Sequence, residues 1–313
     1  MRYLYNDSYW SKDGPILFYA GNEGDITLFA ANTGVMWDIA PELNALILLA
    51  EHRYYGLTMP FGNEAYQPSN IGFLSSEEAL ADYAVFLRWL KGEIEWTLPS
   101  PFANKAAKSP VVVLGGSYGG MLAAWMRMKY PNVVIGALAA SAPIWQYHGI
   151  TPCYRFAEIA TRTFANSAHG CDDVVRKSWD AMRNKSETSE GRDWLNTQFN
   201  LCPNSTIKNA SDVDNLFNYL QGTWTYMAMV DYPYENDFLR PVPGFPVKAA
   251  CDLMVKGNPT SDDEIIQAVV KGVGVFQNYT GMASCYDVGT VTTGALSDDG
   301  WNYQASFYEP TIL

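Results

Sequence analysis

The most constraining feature of this chain is a glycine-rich turn that joins an apolar run to a helical pattern. Residues 111–114, Val-Val-Val-Leu, are typical of a buried strand and lead directly into Gly-Gly-Ser-Tyr-Gly at 115–119. Apolar residues then recur at helical spacing until Pro131 ends the pattern. A strand that reverses into a helix so quickly leaves little room for side chains, so glycines two positions before and after a serine expose its hydroxyl. The segment therefore predicts a nucleophile elbow with Ser117 as the nucleophile.

Strand-like and helical patterns alternate over the first half of the chain, and the pattern changes in the second half. The strand-like runs are residues 16–20, 45–50, 111–114 and 133–140. This alternation predicts parallel βαβ units and the α/β class. Ser75 and Glu78 form a capping-box pattern ahead of an apolar stripe, which predicts a helix. Beyond Pro143 amphipathic helical patterns dominate, so we expect a helical second domain from about residue 146, with patterns at 174–182, 216–224 and 265–273.

Composition excludes several classes of partner. The 313 residues carry a formal net charge of -12 and no basic run, which argues against nucleic acid or anionic lipid. A hydrophobic content of 48% is ample for real cores. No run of 18 apolar residues occurs, so we expect no membrane-spanning segment. The N-terminus also lacks the apolar stretch of a signal peptide.

Cysteines and glycosylation sequons point to an oxidising compartment. Five cysteines occur without any C-x-x-C pair, so a disulfide framework is favoured over a metal or redox site. The odd count leaves one cysteine whose partner is missing, free or on another chain. We expect neither a metal nor a cofactor. N-x-S/T sequons predict glycosylation at five positions: Asn6, Asn184, Asn204, Asn209 and Asn278.

Several segments together resemble the lysosomal proline-specific serine peptidases, the family of prolyl (Pro-Xaa) carboxypeptidase and dipeptidyl peptidase II. The resemblance covers nearly the whole chain and rests on residues 21–25 (Gly-Asn-Glu-Gly-Asp), 50–56 (Ala-Glu-His-Arg-Tyr-Tyr-Gly), 115–121, 139–143 and 228–234. Residues 36–38 (Met-Trp-Asp) and 144–146 (Ile-Trp-Gln) are closer to the carboxypeptidase branch.

The resemblance implies an α/β-hydrolase domain interrupted by a helical cap. Residues 1–145 would form the N-terminal part of the hydrolase domain, and residues 146–300 would form the cap. Residues 301–313 would be a divergent tail where the hydrolase domain resumes, so the hydrolase core would be incomplete. The chain thus looks C-terminally truncated, and whether that is real or a gene-model artefact stays open.

The resemblance also implies the disulfide pairing. Cys171 would pair with Cys251, and Cys202 would pair with Cys285. The family partner of Cys153 would lie further along than this sequence extends, which accounts for the odd thiol.

Site roles follow from the elbow and the resemblance together. Acyl transfer needs a nucleophile, a base and donors for the developing oxyanion. The backbone N–H of Tyr118 would supply half of the oxyanion hole. A second N–H is expected from the loop formed by Gly21, Asn22, Glu23 and Gly24. The resemblance places Met121 in the pocket for the substrate proline, although without it a core position would be an equal alternative.

The base and its orienting acid are the missing parts. In α/β-hydrolases both follow the serine, but His52 precedes Ser117, so we expect His52 to be structural. His148 and His169 are expected at the surface or in the cap. The family supplies its catalytic aspartate and histidine after the cap, beyond these residues. We therefore predict that this chain alone is inactive, with a loss of roughly 10⁶ in turnover.

Substrate direction is left open between two branches. A dipeptidyl peptidase needs a carboxylate for the free α-amine, and Glu23 and Asp25 are candidates, although each could equally be scaffold. The favoured hypothesis is Pro-Xaa carboxypeptidase-like cleavage beside proline through an acyl-enzyme on Ser117. Alternatives are a dipeptidyl peptidase II-like aminopeptidase and a non-catalytic binding protein, while an esterase lacks support because no His-Gly-Gly-Gly loop occurs. Proline-containing peptides are the expected partners, a homodimer stays open, and the expected location is lysosomal or secreted.

Overall fold

The computed structural model describes residues 1–11, 13–95, 97–147, 149–289 and 299–308. They fall into two compact units, one made of residues 1–153 and 299–308 and the other of residues 154–289. The first unit thus extends a little beyond residue 146, where the sequence predicts the helical domain to begin. The assignment of domains stays a prediction.

The first unit is built on a mostly parallel sheet. Its strand order is β1-β3-β2-β4-β5, with β1 antiparallel to β3 and all other pairs parallel. The strands are β1 (Tyr3–Asn6), β2 (Ile16–Ala20), β3 (Leu46–Ala50), β4 (Val111–Gly116) and β5 (Gly136–Ala140). Every residue of β2 and β3 is buried, as expected of apolar runs at the centre of a parallel sheet.

The outer strands are where the sequence-based prediction is incomplete. It does not include β1, a four-residue strand whose side chains are half-buried or exposed and which pairs Tyr3 with Ala50. It also begins the last strand at residue 133, whereas β5 begins at Gly136. Val133 and Val134 are instead buried in the core ahead of the strand. From residue 137 on, the side chains of β5 are exposed.

Helices pack on this sheet and include the two that the sequence predicts. They are α1 (Ile26–Asn32), α2 (Gly34–Leu43), α3 (Ser76–Leu90), α4 (Ala103–Ala106), α5 (Tyr118–Lys129) and, after the second unit, α12 (Trp301–Tyr308). Ser75 caps α3, since its hydroxyl accepts from the Glu78 N–H at 3.2 Å. The sequence also predicts the reciprocal bond of a capping box, from the Ser75 N–H to the Glu78 carboxylate, and this prediction is wrong. The Glu78 carboxylate lies 3.0 Å from the Arg53 guanidinium instead.

The second unit is helical, and each of its three predicted patterns lies in a helix. The helices are α6 (Arg155–Ser167), α7 (Cys171–Ser186), α8 (Ser189–Gln198), α9 (Val213–Met229), α10 (Pro246–Val255) and α11 (Asp262–Gln277). A disulfide joins Cys171 to Cys251, and a second joins Cys202 to Cys285. Both bonds are those that the resemblance implies. Cys153 is exposed and has no disulfide partner among the described residues.

Candidate active site

Ser117 lies in a strained turn between β4 and α5. Its φ of 55° and ψ of -126° are rare for a residue with a side chain. The Ser117 N–H donates to the carbonyl of Ala140 on β5 at 3.0 Å, and the Ser117 carbonyl accepts from Met121 at 3.1 Å. The neighbouring strand and the first helical turn together hold the serine in this conformation. This is the backbone geometry that a nucleophile elbow requires.

The flanking glycines are required by close backbone approach. A Cβ on Gly115 would lie 2.0 Å from the Gly119 carbonyl oxygen. A Cβ on Gly119 would lie 2.8 Å from the Ala20 carbonyl oxygen at the end of β2. Gly120, which the sequence argument does not use, is crowded in the same way by the Ala140 carbonyl at 2.7 Å. Larger residues would push the serine away from the sheet.

Ser117 is half-buried, so part of the residue is accessible at the surface of the first unit. Within the described residues it makes no hydrogen bond to any side chain. None of the described histidines therefore activates it in this structure.

Tyr118 is the first residue of α5, and its backbone N–H lies at the helix N-terminus. Backbone donors there have no intrahelical acceptor, and the helix dipole favours negative charge. The loop after β2 lies against the same turn, since a Cβ on Gly119 would come within 3.1 Å of Asn22 Oδ1. Two donors of that loop are already used: the N–H of Gly21 bonds to the Ala50 carbonyl, and that of Gly24 to the Asn22 carbonyl. The Asn22 N–H has no acceptor among the described residues, so it is available to act with that of Tyr118.

Asp25 has a structural role in this loop. Its carboxylate caps α1 by accepting from the Thr27 N–H at 2.8 Å, and it pairs with the Arg2 guanidinium at 2.5 Å. Burial alone would raise the pKa of Asp25, but the bonds from Thr27 and Arg2 hold that pKa below its usual value. Glu23 is half-buried two residues earlier.

Glu51, which no local sequence pattern marks as a site residue, is a fully buried carboxylate that joins two loops at this end of the sheet. Its oxygens accept from the backbone N–H groups of Ile26 at 3.1 Å and Leu57 at 2.9 Å, and from the Thr58 hydroxyl at 2.8 Å. The Arg2 guanidinium balances its charge. Glu51 thereby fixes the loops that follow β2 and β3, on which the predicted oxyanion donor depends.

His52 is fully buried beneath the elbow and does not contact Ser117 through any hydrogen bond. Its ring nitrogens lie 2.6 Å from the Arg53 carbonyl and 3.0 Å from Tyr118 Oη. Burial lowers the pKa of His52 to about 4, so the ring is neutral near neutral pH. His169 is exposed in the second unit, and His148 lies outside the described residues.

Met121 is only 7% exposed and belongs to the apolar core beside the sheet. Its role in a proline pocket stays a prediction. Among the described residues no group of three or more His, Cys, Asp or Glu side chains could hold a metal ion. None of the described helices has both the length and the hydropathy of a membrane-spanning segment.

Three of the five sequon asparagines, Asn184, Asn204 and Asn209, are exposed, whereas Asn6 and Asn278 are half-buried. The Asn278 side chain accepts from the Ala283 N–H at 2.8 Å. Asn184 lies on the exposed face of α7. Glycosylation at all five positions stays a prediction.

Comparison with known proteins identifies relatives over nearly the whole chain. The model of the family described as serine carboxypeptidase S28 matches residues 1–311. The lysosomal Pro-X carboxypeptidases of Pongo abelii and Homo sapiens are each 45% identical over 97% of this chain. The putative serine protease pcp-1 of Caenorhabditis elegans is 42% identical over 97% of the chain. The chain spans 59% of the length of the two carboxypeptidases and 55% of the length of the nematode protein.

Proposed function

The chain belongs to the serine carboxypeptidase S28 family, and from that premise we propose a serine-type peptidase that cleaves peptide bonds beside proline. The fold of the family is the α/β-hydrolase fold. The observation that carries the proposal is the strained backbone of Ser117 between β4 and α5. This geometry presents a hydroxyl next to helix N-terminal donors, which is the arrangement that acyl transfer needs.

In the proposed reaction Ser117 attacks the carbonyl carbon of the scissile bond and forms an acyl-enzyme. The negative charge that develops on the carbonyl oxygen is received by the backbone N–H of Tyr118 and by the loop of residues 21–24, with Asn22 as its donor. Water then releases the acyl group from Ser117.

The proposed domains correspond to the two compact units except near their boundaries, where the first unit includes residues up to 153 and residues 299 and 300. Residues 1–145 form the N-terminal part of the hydrolase domain, residues 146–300 form the cap, and residues 301–313 are the segment where the hydrolase domain resumes. The location of Gln304 and Trp301 in the first unit supports the last assignment.

The proposed direction of cleavage is that of a Pro-X carboxypeptidase, acting in lysosomes or after secretion on proline-containing peptides. Support comes from Asp25, whose carboxylate is engaged by Thr27 and Arg2. A dipeptidyl peptidase would need a carboxylate available for the substrate amine. Asp25 is committed to α1, which leaves Glu23 as the remaining candidate for that role. The names of the mammalian relatives point to the same branch and compartment.

We further propose that residues 1–313 alone turn over peptides roughly 10⁶-fold more slowly than a complete serine hydrolase, because no base contacts Ser117 in the described part of the chain. His52 does not fill the role, since both of its nitrogens are engaged. His169 is exposed on the other unit.

A fluorophosphonate probe tests the nucleophile directly. We expect slow labelling of Ser117 in the folded chain, with none in the Ser117→Ala variant or in urea. Ser141→Ala is a matched control, because Ser141 also has a positive φ, of 47°, but lies at the end of β5. Labelling that is no faster than in urea would refute the assignment of Ser117.

Paired substrates test the branch and the missing base. Peptides with a blocked amine and a free carboxylate after proline suit a carboxypeptidase, whereas Xaa-Pro amides suit a dipeptidyl peptidase. We expect neither to be cleaved appreciably by residues 1–313. Rapid cleavage of the first type would contradict the missing base, and cleavage of the second type alone would favour the other branch.

A further inference from the structure

A buried row of four polar side chains runs beneath the elbow. Tyr55, Gln304, Tyr118 and His52 are each at most 2% exposed. Tyr55 Oη lies 2.6 Å from Gln304 Oε1, and Gln304 Nε2 lies 2.5 Å from Tyr118 Oη. Tyr118 Oη in turn lies 3.0 Å from His52 Nε2. We call these four residues the elbow chain.

The chemistry of its last member assigns a direction to every bond. His52 Nδ1 lies 2.6 Å from the Arg53 carbonyl, which can only accept, so the proton is on Nδ1. His52 Nε2 of the neutral ring is then an acceptor and receives the Tyr118 hydroxyl proton. The Tyr118 oxygen accepts from the Gln304 amide, and the Gln304 carbonyl oxygen accepts from the Tyr55 hydroxyl. All four bonds therefore run from Tyr55 toward the Arg53 carbonyl.

The elbow chain fixes a side chain whose backbone belongs to the site. Tyr118 directly follows Ser117 and is the first residue of α5. Its phenol is held at the hydroxyl end by two hydrogen bonds, and its ring contacts those of His52, at a centroid distance of 5.5 Å, and Trp301, at 5.4 Å. Gln304 and Trp301 both lie on α12, so this helix contributes directly to the position of the elbow.

We propose that Gln304 and His52 are positioning residues, which act through the Tyr118 phenol to hold the Tyr118 backbone N–H where the oxyanion forms. This rests on the function proposed above. Oxyanion stabilisation depends on donors that are already in place, and the loss of one such donor lowers rates by about 10²–10³. A displaced donor has a smaller effect, so we expect a loss of about tenfold or more when the elbow chain is broken.

The same geometry gives His52 a role other than that of a base. Its acceptor nitrogen is occupied by the Tyr118 hydroxyl, and its donor nitrogen by a carbonyl. His52 thus acts as a fixed acceptor at the end of the elbow chain, not as a proton carrier for Ser117.

The rate of Ser117 labelling by a fluorophosphonate tests the proposal. Tyr118→Phe removes only a hydroxyl, and Gln304→Met keeps the side-chain length without its polar atoms. We expect both variants to label at least about tenfold more slowly while they remain folded. Ser306→Ala is the control on the same helix, because Ser306 is exposed and, within the described part of the chain, its hydroxyl donates only to the Tyr303 carbonyl. A merely structural role would lower the melting temperature and leave the labelling rate of the folded protein unchanged.

Nitrogen NMR of histidine-labelled protein tests the bond directions independently of reactivity. With only three histidines, His52 can be assigned by substitution. We expect the Nδ1–H form with a hydrogen-bonded Nε2, and loss of that hydrogen bond in Tyr118→Phe. An Nε2–H form, or a Tyr118→Phe spectrum identical to that of the parent, would overturn the proposal.

The outcomes separate the two claims. Parent protein that does not label at Ser117 would overturn the proposed function and with it the positioning role. Parent protein that labels, with both variants at the parental rate, would overturn the positioning role alone. If Gln304→Met fails to fold, Tyr118→Phe and the NMR signature still decide.

Discussion

Acidification should destabilise the first unit through His52. The side chain is fully buried, and burial lowers its pKa from 6.5 to about 4, while the neighbouring Arg53 charge also lowers it and Asp82 raises it. In the unfolded chain the ring binds a proton with its ordinary pKa. The neutral ring therefore contributes its full stability above pH 6.5, and this contribution is lost as the pH falls toward 4.

The size of the effect follows from that difference in pKa. Proton linkage with values of 6.5 and 4 gives a loss of about 2 kcal/mol in unfolding free energy between pH 7.5 and pH 5. Below pH 4 the loss levels off at about 3 kcal/mol. Protonation would also place an Nε2–H against Tyr118 Oη. His52 could then no longer accept the Tyr118 hydroxyl proton, so the last side-chain bond of the elbow chain would be reversed or lost.

Urea unfolding of the parent and of His52→Gln at pH 7.5, 6 and 5 measures the effect. Gln can donate and accept but does not titrate, and every other residue is the same in the two proteins. The parent should lose about 2 kcal/mol more than the variant between pH 7.5 and pH 5. Equal losses in the two proteins, or a His52 proton resonance that titrates near 6.5, would refute the reasoning.

Two further predictions concern the scaffold. Gly115→Ala should destabilise by at least about 3 kcal/mol, because its Cβ would meet the Gly119 carbonyl, whereas Gly136→Ala, with nothing within 4 Å, should shift the urea midpoint little. The double variant Cys202→Ser and Cys285→Ser removes a disulfide that closes a loop of 83 residues. Its free energy of unfolding should be lower by about 4 kcal/mol. An unchanged midpoint in either Gly115→Ala or the double serine variant would contradict these assignments.

Much of the central sheet and the elbow could be predicted from the sequence because their signals are local. The runs at residues 16–20 and 46–50 are buried on both faces, which requires continuous apolar residues. The Ser117 turn requires glycine at fixed offsets, so its geometry is visible in five residues. The helices around residues 174–182 and 265–273 likewise carry their own apolar stripes.

The edges of the sheet depend on partners and were predicted less well. β1 is four residues long, is at most half-buried, and is a strand only because β3 offers it a free edge. The β-branched residues before Gly136 have a high propensity for strands, yet Val133 and Val134 lie outside β5 and are buried in the apolar core. Local propensity does not distinguish these two uses of the same residue type.

Polar residues of the site were the hardest to identify, since a glutamate or glutamine has the same sequence signature whether it is solvated or buried. Glu78 shows how tertiary context overrides a local pattern: its carboxylate pairs with Arg53 instead of completing the capping box. Gln304 shows it more strongly, because its partners Tyr55 and Tyr118 are separated from it by 249 and 186 positions. The sequence of the elbow alone therefore specifies where the nucleophile lies. The residues that hold the Tyr118 N–H become recognisable only when the fold places α12 against Tyr118.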